Sequence, residues 1–233
     1  MEVLKISGLC KTYPGFSLKD VSFNLEKGSI MGFIGRNGAG KTTTLKSILN
    51  LVHPDSGSIE YFGLPLLNNE DAIKQRIGYV VSSTGYYKKK KIRDITEITR
   101  SFYPQWDDSA WRHYLEVFKL DENKSPEQLS EGMKVKYSIS LALSHKAELL
   151  ILDEPTSGLD PISRAELLDI FNQLKAKGIS ILFSSHITTD LDKCADSITY
   201  IKNGSILYSG KTEDIGMSLD DYMLANEKEE IHV

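Results

Sequence analysis

The nonapeptide Gly35-Arg-Asn-Gly-Ala-Gly-Lys-Thr-Thr43 follows an apolar segment, Ile30–Ile34, and precedes a helix-forming segment, Thr44–Leu51. A phosphate-binding loop occupies this position, between a strand and the helix that follows it. Its glycines let backbone N–H groups come close to phosphate oxygens, and the helix N-terminus contributes partial positive charge. The nonapeptide therefore predicts a binding site for a nucleoside triphosphate.

Residues of this loop have separate predicted roles. The Lys41 ammonium can reach the β- and γ-phosphates, and the Thr42 hydroxyl can ligate Mg²⁺. A plain glycine-rich turn is the alternative, and the flanking strand and helix argue against it. The predicted nucleotide-binding residues of the loop are Gly35, Asn37, Gly38, Ala39, Gly40, Lys41, Thr42 and Thr43.

The composition is that of a folded domain with a modest negative charge. The 233 residues are 40% hydrophobic and 26% charged, which allows one buried core and a smaller inserted lobe. The formal charge of -4 provides no general basic field, so nucleic acid is not expected as a partner. Cys10 and Cys194 lack metal-ligand spacing, so we expect neither a disulfide framework nor a zinc site. No apolar run approaches the ~18 residues of a membrane span, so we expect any membrane partner to be a separate chain.

Apolar patterning predicts two kinds of strand. Three segments alternate apolar with polar residues, as half-buried strands do: Val3–Ile6, Val21–Leu25 and Ser58–Phe62. Three others are largely apolar throughout: Ser29–Ile34, Leu149–Leu152 and Ile179–Phe183. The first group predicts an antiparallel flank and the second a parallel core, so the predicted fold class is α/β.

Helical patterns separate these strands. Asp160-Pro161 supplies an N-cap and a first-turn proline for a helix that ends near Gly178. The residues predicted for its inward face are Ala165, Leu168, Phe171 and Leu174. Between about 83 and 146 the pattern is mainly helical, with apolar residues at helical spacing from Trp111 to Phe118. We interpret this segment as an inserted lobe and its aromatic stripe as core packing.

The segment Leu149-Leu-Ile-Leu-Asp-Glu154 is an apolar strand that ends in two acids. It delivers adjacent carboxylates to the edge of the sheet, where strands present functional groups. Asp153 can hold Mg²⁺ through water, and Glu154 can deprotonate water for in-line attack on a γ-phosphate. Alone, such a pair is more often a solvated turn; together with the phosphate loop it predicts hydrolysis.

Three further motifs occur in order around this strand. Leu129-Ser-Glu-Gly-Met133 precedes it, Ser157-Gly-Leu-Asp160 follows it, and Ser184-Ser-His186 ends the next apolar segment. With the phosphate loop, these motifs resemble those of the ATP-binding-cassette (ABC) ATPases over nearly the whole chain. The resemblance implies one ABC ATPase domain, 1–233, with a P-loop NTPase core, an antiparallel β subdomain and an inserted α-helical subdomain. The expected ranges are 1–82 and 147–215 for the core and β subdomain, 83–146 for the helical subdomain, and 216–233 for a C-terminal helix and tail.

The resemblance also implies a site shared between two copies of the ATPase. Two copies would pack head to tail around two ATP molecules, each held by one copy's phosphate loop and by Ser130 and Gly132 of the other. Asp160 would connect the two sites. The implied partners are a second ATPase subunit, identical or a paralogue, and a transmembrane permease that holds the chain at the cytoplasmic face of the cell membrane.

Within each site, the resemblance implies roles for single residues. Glu154, His186 and Lys41 would be the catalytic residues, with His186 contacting the γ-phosphate beside Glu154. Tyr13, in Lys11-Thr-Tyr-Pro-Gly15, would stack on adenine. The implied cofactors are ATP and Mg²⁺, with Thr42 and Asp153 as metal residues.

Three positions depart from the family's pattern. After Ile77–Val81, Ser82 stands where the family usually has a glutamine that touches Mg²⁺, and we keep Ser82 as a candidate metal residue. Glu131 and Met133 stand where glycine and glutamine are usual. A carboxylate near a triphosphate repels it, and a thioether cannot donate a hydrogen bond. We therefore expect an isolated ATP-bound pair to be weak and the membrane partner to stabilise it.

The segment Phe102–Asp107 and the motif's Glu131 and Met133 are similar to those of small Gram-positive export ATPases, of the antibiotic-exporter and phenol-soluble-modulin-exporter types. The leading hypothesis is an ATPase that drives export of a peptide, drug or lipid. Two alternatives stay open: a soluble ABC-type ATPase, for example in cofactor assembly, and a regulatory module without catalysis. Lys88–Lys91 is either a solvated face or a docking patch for acidic permease loops or anionic lipid headgroups.

Overall fold

The computed structural model describes residues 1–81 and 87–227. In these ranges ten strands form two sheets. The strands are β1 (Glu2–Tyr13), β2 (Phe16–Glu26), β3 (Ile30–Ile34), β4 (Ser56–Tyr61), β5 (Leu64–Pro65), β6 (Ile77–Val81), β7 (Leu149–Asp153), β8 (Ser180–Ser185), β9 (Ser197–Lys202) and β10 (Ser205–Lys211).

Eight α-helices accompany the sheets in the same ranges, and none of them has both the length and the apolar character that a membrane crossing requires. The helices are α1 (Lys41–Ile48), α2 (Leu66–Lys74), α3 (Ile92–Arg100), α4 (Asp108–Val117), α5 (Glu131–Ser144), α6 (Pro161–Ala176), α7 (Thr188–Cys194) and α8 (Leu219–Glu227). Short 3₁₀ turns lie at Pro126–Gln128 and Thr212–Ile215.

The smaller sheet is antiparallel, in the order β2-β1-β4-β5. Along β2 the buried residues Leu18, Val21, Phe23 and Leu25 are separated by exposed ones, which is the pattern of a sheet with one face in the core. β1 and β2 form a hairpin in which Tyr13 lies opposite Phe16. The predicted antiparallel flank is confirmed.

The larger sheet has the order β10-β9-β3-β8-β7-β6. β3 runs parallel to both β8 and β9, and β7 runs parallel to both β6 and β8. Every residue of β3 and β8 is buried, as expected for strands covered on both faces. The register places Ile34 beside Ser185, and Asp153 beside Ser184, so the carboxyl ends of three strands meet at one edge. The predicted parallel core and α/β class are confirmed.

Helices α3 to α5 lie in sequence between β6 and β7 and have a core of their own. Its buried members are Ile92, Ile95, Trp111, Leu120, Leu129 and Tyr137. The aromatic stripe of α4 is therefore packing, as predicted. Residues 82–86 lie outside the described residues, and the predicted subdomain boundaries stay a prediction.

Helix α6 begins as predicted, because the Asp160 carboxylate accepts hydrogen bonds from the backbone N–H groups of Ile162 and Ser163. The prediction of its inward face was wrong at one position. Ala165 is exposed and Leu167 is buried in its place. Ala165 lies about 160° around the helix from Leu167, on the side that faces away from the sheet.

The lysine run lies on the surface before α3. The side chains of Lys88–Lys91 are exposed, and the Lys90 Nζ lies 5.2 Å from the centroid of the Tyr87 ring. Exposure fits both the solvated face and the docking patch, so both interpretations of this run stay open.

His145, which follows α5, is a buried histidine. Its ring is 4% exposed and stacks on Tyr103, with centroids 3.8 Å apart and ring planes 10° apart. Burial lowers the pKa of His145 from 6.5 to about 4, and a backbone hydrogen bond at Gln75 opposes this in part. The folded chain therefore holds this ring neutral at neutral pH.

This burial predicts a loss of stability in mild acid. The unfolded chain takes up a proton on His145 near pH 6.5 and the folded chain only near pH 4, so the free energy of unfolding falls as the pH drops between these values. From pH 7.5 to 5.5 the loss due to this residue is about 1.3 kcal/mol. Urea unfolding of wild type and His145→Gln at both pH values measures it, because the variant should lack this share of the pH dependence. His113→Gln changes an exposed histidine and is the control; equal pH dependence in wild type and His145→Gln would contradict the prediction.

Candidate nucleotide-binding site

The phosphate loop lies between the end of β3 and the start of α1, as predicted. Gly40 is the N-cap of α1, with φ of 117°. A Cβ atom added to Gly40 would lie 2.7 Å from Leu18 Cδ2 and 2.9 Å from Phe16 Cζ. Both the backbone conformation and the close approach of β2 therefore require glycine here. This packing fixes the loop against the antiparallel sheet.

The loop borders a cavity of about 640 Å³ at the carboxyl edge of the parallel sheet. The residues that line the cavity are Gly15, Phe16, Arg36, Asn37, Gly38, Gly40, Lys41, Thr42, Thr43, Glu154, Ser157 and His186. A volume of this size is in the range of small-molecule sites. The chain thus brings six predicted loop residues together with Glu154 and His186 around one space.

Two predicted loop residues lie behind the cavity wall. A Cβ atom on Gly35 would lie 2.4 Å from the Ile201 carbonyl oxygen, so the loop packs here directly on β9. Ala39 is buried, and its carbonyl accepts a hydrogen bond from the Gly204 N–H group at 2.9 Å. These two residues hold the loop in place and do not face the cavity.

Lys41 carries a buried positive charge at the cavity wall. Its side chain is 6% exposed. Its Nζ donates to the Gly35 carbonyl at 2.7 Å and lies 3.3 Å from Glu154 Oε1. A buried ammonium is costly unless it is paired, and here a carbonyl and a carboxylate pair it.

Glu154 links Lys41 to His186. It follows β7 with φ of 51°, an uncommon conformation for a residue other than glycine. The His186 Nδ1 lies 2.8 Å from Glu154 Oε2, while the other carboxylate oxygen faces Lys41. The two catalytic candidates from β7 and β8 are therefore in direct contact.

Asp153 and Thr42 form a second polar pair beside the first. The Thr42 hydroxyl lies 3.4 Å from Asp153 Oδ1. The Ser184 hydroxyl donates to the same oxygen at 2.7 Å and accepts the Glu154 N–H group at 2.9 Å. Hydroxyl and carboxylate oxygens are the ligands that Mg²⁺ prefers, and Mg²⁺ sites commonly use one or two carboxylates together with substrate phosphates. The donor set therefore fits Mg²⁺, and the part of the chain that the structure describes holds no cluster of three or more His, Cys, Asp or Glu that could bind a metal by itself.

Ser130, Gly132 and Asp160 lie elsewhere. Ser130 is the N-cap of α5 and accepts the Met133 N–H group at 3.3 Å. A Cβ atom on Gly132 would lie 3.6 Å from Ser163 Cβ, so the start of α5 approaches the start of α6. Hydrogen bonds from Ser163 and the α6 N-terminus lower the pKa of the Asp160 carboxyl. These three residues thus share one surface, and none of them lines the cavity.

Sequence reasoning missed several residues of the cavity. Phe16 lines it, whereas Tyr13, its cross-strand partner, is not among the described lining residues. Arg36 and Ser157 also line it, and both lie within motifs that the sequence had already indicated. Ser184 bridges Asp153 and Glu154, and its place before Ser185-His186 was the available signal. Ser82 lies outside the described residues.

Comparison with known proteins gives the family. The family model described as "ABC transporter" matches residues 18–157. The bacitracin transport ATP-binding protein BcrA of Bacillus licheniformis is 38% identical over 209 residues, which are 88% of this chain and 68% of that protein. The ABC-type transporter ATP-binding protein EcsA of Bacillus subtilis is 33% identical over 91% of both chains.

Among solved structures, one described as the ATP binding subunit of an ABC transporter has a TM-score of 0.87 and 30% sequence identity. It covers 97% of this chain and 100% of the other. The phosphate loop and the acidic end of β7 agree with these matches. The chain belongs to the ABC transporter ATP-binding proteins and is an ABC transporter ATPase.

Proposed function

We propose that this chain hydrolyses Mg²⁺-bound ATP in the cavity and so drives export of a peptide, drug or lipid through a separate permease at the cytoplasmic face of the membrane. The observation that carries the proposal is the continuous contact from Lys41 through Glu154 to His186 along the cavity wall. Phosphoryl transfer to water uses a positive group that stabilises the phosphates and a residue that accepts a proton from the water or orients it, and a carboxylate with an imidazole can supply the latter.

Lys41 and Glu154 exchange partners in this proposal. Without nucleotide, the Lys41 ammonium is 3.3 Å from Glu154 and neutralises it. A triphosphate carries more negative charge than the Glu154 carboxylate, so Lys41 then pairs with phosphate oxygens. Glu154 is left free to accept a proton from water. His186, held at Glu154 Oε2, orients the attacking water with that carboxylate. The base thus becomes available only when substrate is present.

In this proposal Thr42 and Asp153 would hold Mg²⁺, which would supply positive charge to neutralise the phosphates. Ser184 acts as a positioning residue for both acids. Its hydroxyl donates to Asp153 and accepts from the Glu154 backbone, which fixes the turn in which Glu154 has positive φ.

The position of Ser130, Gly132 and Asp160 supports a site completed by a second copy. All three lie on one surface away from their own cavity, at the N-termini of α5 and α6. Helix N-termini favour anions, so the start of α5, with Ser130 and Gly132, suits the nucleotide phosphates of another protomer. We infer head-to-tail pairing of two such subunits, identical or paralogous.

The exporter assignment depends on relatives. BcrA of Bacillus licheniformis is named as a bacitracin transport ATP-binding protein. This name agrees with the subgroup resemblance carried by Phe102–Asp107, Glu131 and Met133. Affinity purification from detergent extract should recover an integral membrane protein with this chain; recovery in soluble complexes alone would contradict the transporter coupling.

Two substitutions should separate ATP binding from hydrolysis. Lys41→Ala removes the charge that meets the phosphates, so ATP affinity should fall by about 10-fold to 100-fold in calorimetric titration. Glu154→Gln should bind ATP but hydrolyse it at least about 100-fold more slowly, because an amide cannot take the proton. Glu116→Gln, which changes an exposed glutamate of α4, is the matched control. Unchanged ATP affinity in Lys41→Ala would show that the loop is misassigned.

Ser184→Ala tests the positioning of the two acids. Loss of the hydroxyl should reduce kcat about 10-fold to 100-fold, as loss of supporting hydrogen bonds does around other sites, while ATP affinity changes little. Ser140→Ala, which removes a buried hydroxyl bonded to a helix carbonyl, is the control for burial and folding. Equal kcat in Ser184→Ala and Ser140→Ala would remove Ser184 from the mechanism.

The second protomer is tested at Gly132. Gly132→Asp places a negative charge where the partner's nucleotide is expected and should abolish hydrolysis in the membrane complex by repulsion. ATP binding to the isolated chain should be unchanged, because Gly132 does not line the chain's own cavity. Gln173→Glu, at an exposed position of α6, serves as the control for added charge. Full hydrolysis by Gly132→Asp would overturn the shared site.

A further inference from the structure

The C-terminal helix α8 connects two parts of the nucleotide site. At its start, the Leu219 N–H group donates to Asp192 at 3.3 Å, and the Thr188 hydroxyl is hydrogen-bonded to Asp220. Thr188 begins α7, two residues after His186. At the other end of α8, Glu227 reaches the phosphate loop. A single helix therefore touches both the segment that follows the imidazole and the loop that is proposed to hold the phosphates.

The middle of α8 is fixed by aromatic packing on the parallel sheet. The Tyr222 ring lies edge-on to Tyr200 and Tyr208, with centroids 6.1 Å and 5.8 Å away. Leu219 is fully buried in the same core. Such pairs stabilise a contact beyond their buried area. Helix α8 therefore packs on the core of the domain, and this packing sets the position of Glu227.

Glu227 gathers three partners at the end of α8. The Tyr200 hydroxyl donates to Glu227 Oε1 at 2.6 Å. Glu227 Oε2 lies 3.9 Å from Lys202 Nζ and 3.7 Å from an Arg36 guanidinium nitrogen. The glutamate side chain is 16% exposed, whereas that of Arg36 is 70% exposed. The carboxylate is therefore anchored by the core, and Arg36 is the solvent-exposed member of the pair.

Arg36 belongs to the phosphate loop and lines the cavity. Its carbonyl lies 3.4 Å from Lys41 Nζ, so its backbone is next to the charge that is proposed to meet the triphosphate. A guanidinium at this place can form two parallel hydrogen bonds with a phosphate group. While it pairs with Glu227, part of that capacity is withheld from a ligand in the cavity.

We propose that Arg36 is a further phosphate-contacting residue and that Glu227 limits its availability, so that α8 sets the affinity of the site for nucleotide. The inference rests on the proposed nucleotide site. Binding of a triphosphate draws Arg36 away from Glu227, because the ligand carries the greater negative charge. Glu227 keeps its bond from Tyr200 throughout and acts as a positioning residue.

A double-mutant cycle measured with ATP by calorimetric titration tests the proposal. Glu227→Gln removes the charge but keeps an oxygen that can accept from Tyr200, and it should bind ATP about twofold to fivefold more tightly than wild type. In the Arg36→Gln background the same substitution should have no effect. The gain should shrink as NaCl is raised, because an exposed guanidinium is screened. Glu213→Gln makes an equal change of charge at an exposed site and should leave affinity unchanged.

The outcomes separate this inference from the proposed function. Wild type that binds no ATP would defeat the proposed site itself. If wild type binds ATP, two results would overturn the role of Arg36 and leave the site intact. One is that Glu227→Gln binds ATP as tightly as wild type. The other is that Glu227→Gln changes the affinity equally with Arg36 and in the Arg36→Gln background. If Glu227→Gln fails to fold, Glu227→Asp keeps the charge with a shorter reach, and it should tighten ATP binding only when Arg36 is present.

Discussion

The buried ammonium of Lys41 constrains the arrangement of residues at the carboxyl edge of the parallel sheet. A charge that is 6% exposed must be compensated locally, and its two close partners come from the loop after β3 and the turn after β7. Those partners meet only if β3, β8 and β7 lie side by side and parallel, with their carboxyl ends level. The strand order, the fully buried β3 and the glycine contacts of the loop all serve this one geometry.

The same pairing makes the site responsive to its ligand. In the structure each oxygen of Glu154 is engaged, one by Lys41 and one by His186. A partly buried pair of this kind is strong enough to hold the residues in place, yet phosphate oxygens compete for the same ammonium. Arg36 and Glu227 repeat this arrangement at the surface with weaker coupling, because the arginine is largely solvated.

The functional residues that the sequence predicted are those that a short local motif identifies. The phosphate loop, Asp153-Glu154 and His186 each follow an apolar strand, so the parallel sheet alone brings them together. Phe16 and Glu227 make contacts between distant segments, and no local pattern marks them. Ser184 lies within the Ser184-Ser-His186 motif, but its bond to Asp153 depends on the register of β7 and β8. Ala165 was misassigned because a small apolar residue at helical spacing fits either face, and only the packing of Leu167 on the sheet decides between them.

The helix caps on the outer surface differ in what they can still bind. Ser130 Oγ accepts the Met133 N–H group through a lone pair, and its hydroxyl proton has no role in that bond, so it can donate to an anion without uncapping α5. The Asp160 carboxylate can only accept hydrogen bonds. Its oxygens already accept the backbone N–H groups of Ile162 and Ser163 and the Ser163 hydroxyl. A phosphate would therefore be drawn to the α5 cap and repelled from the α6 cap. This contrast in hydrogen-bonding capacity fits Ser130 for contact with nucleotide and Asp160 for contact with protein.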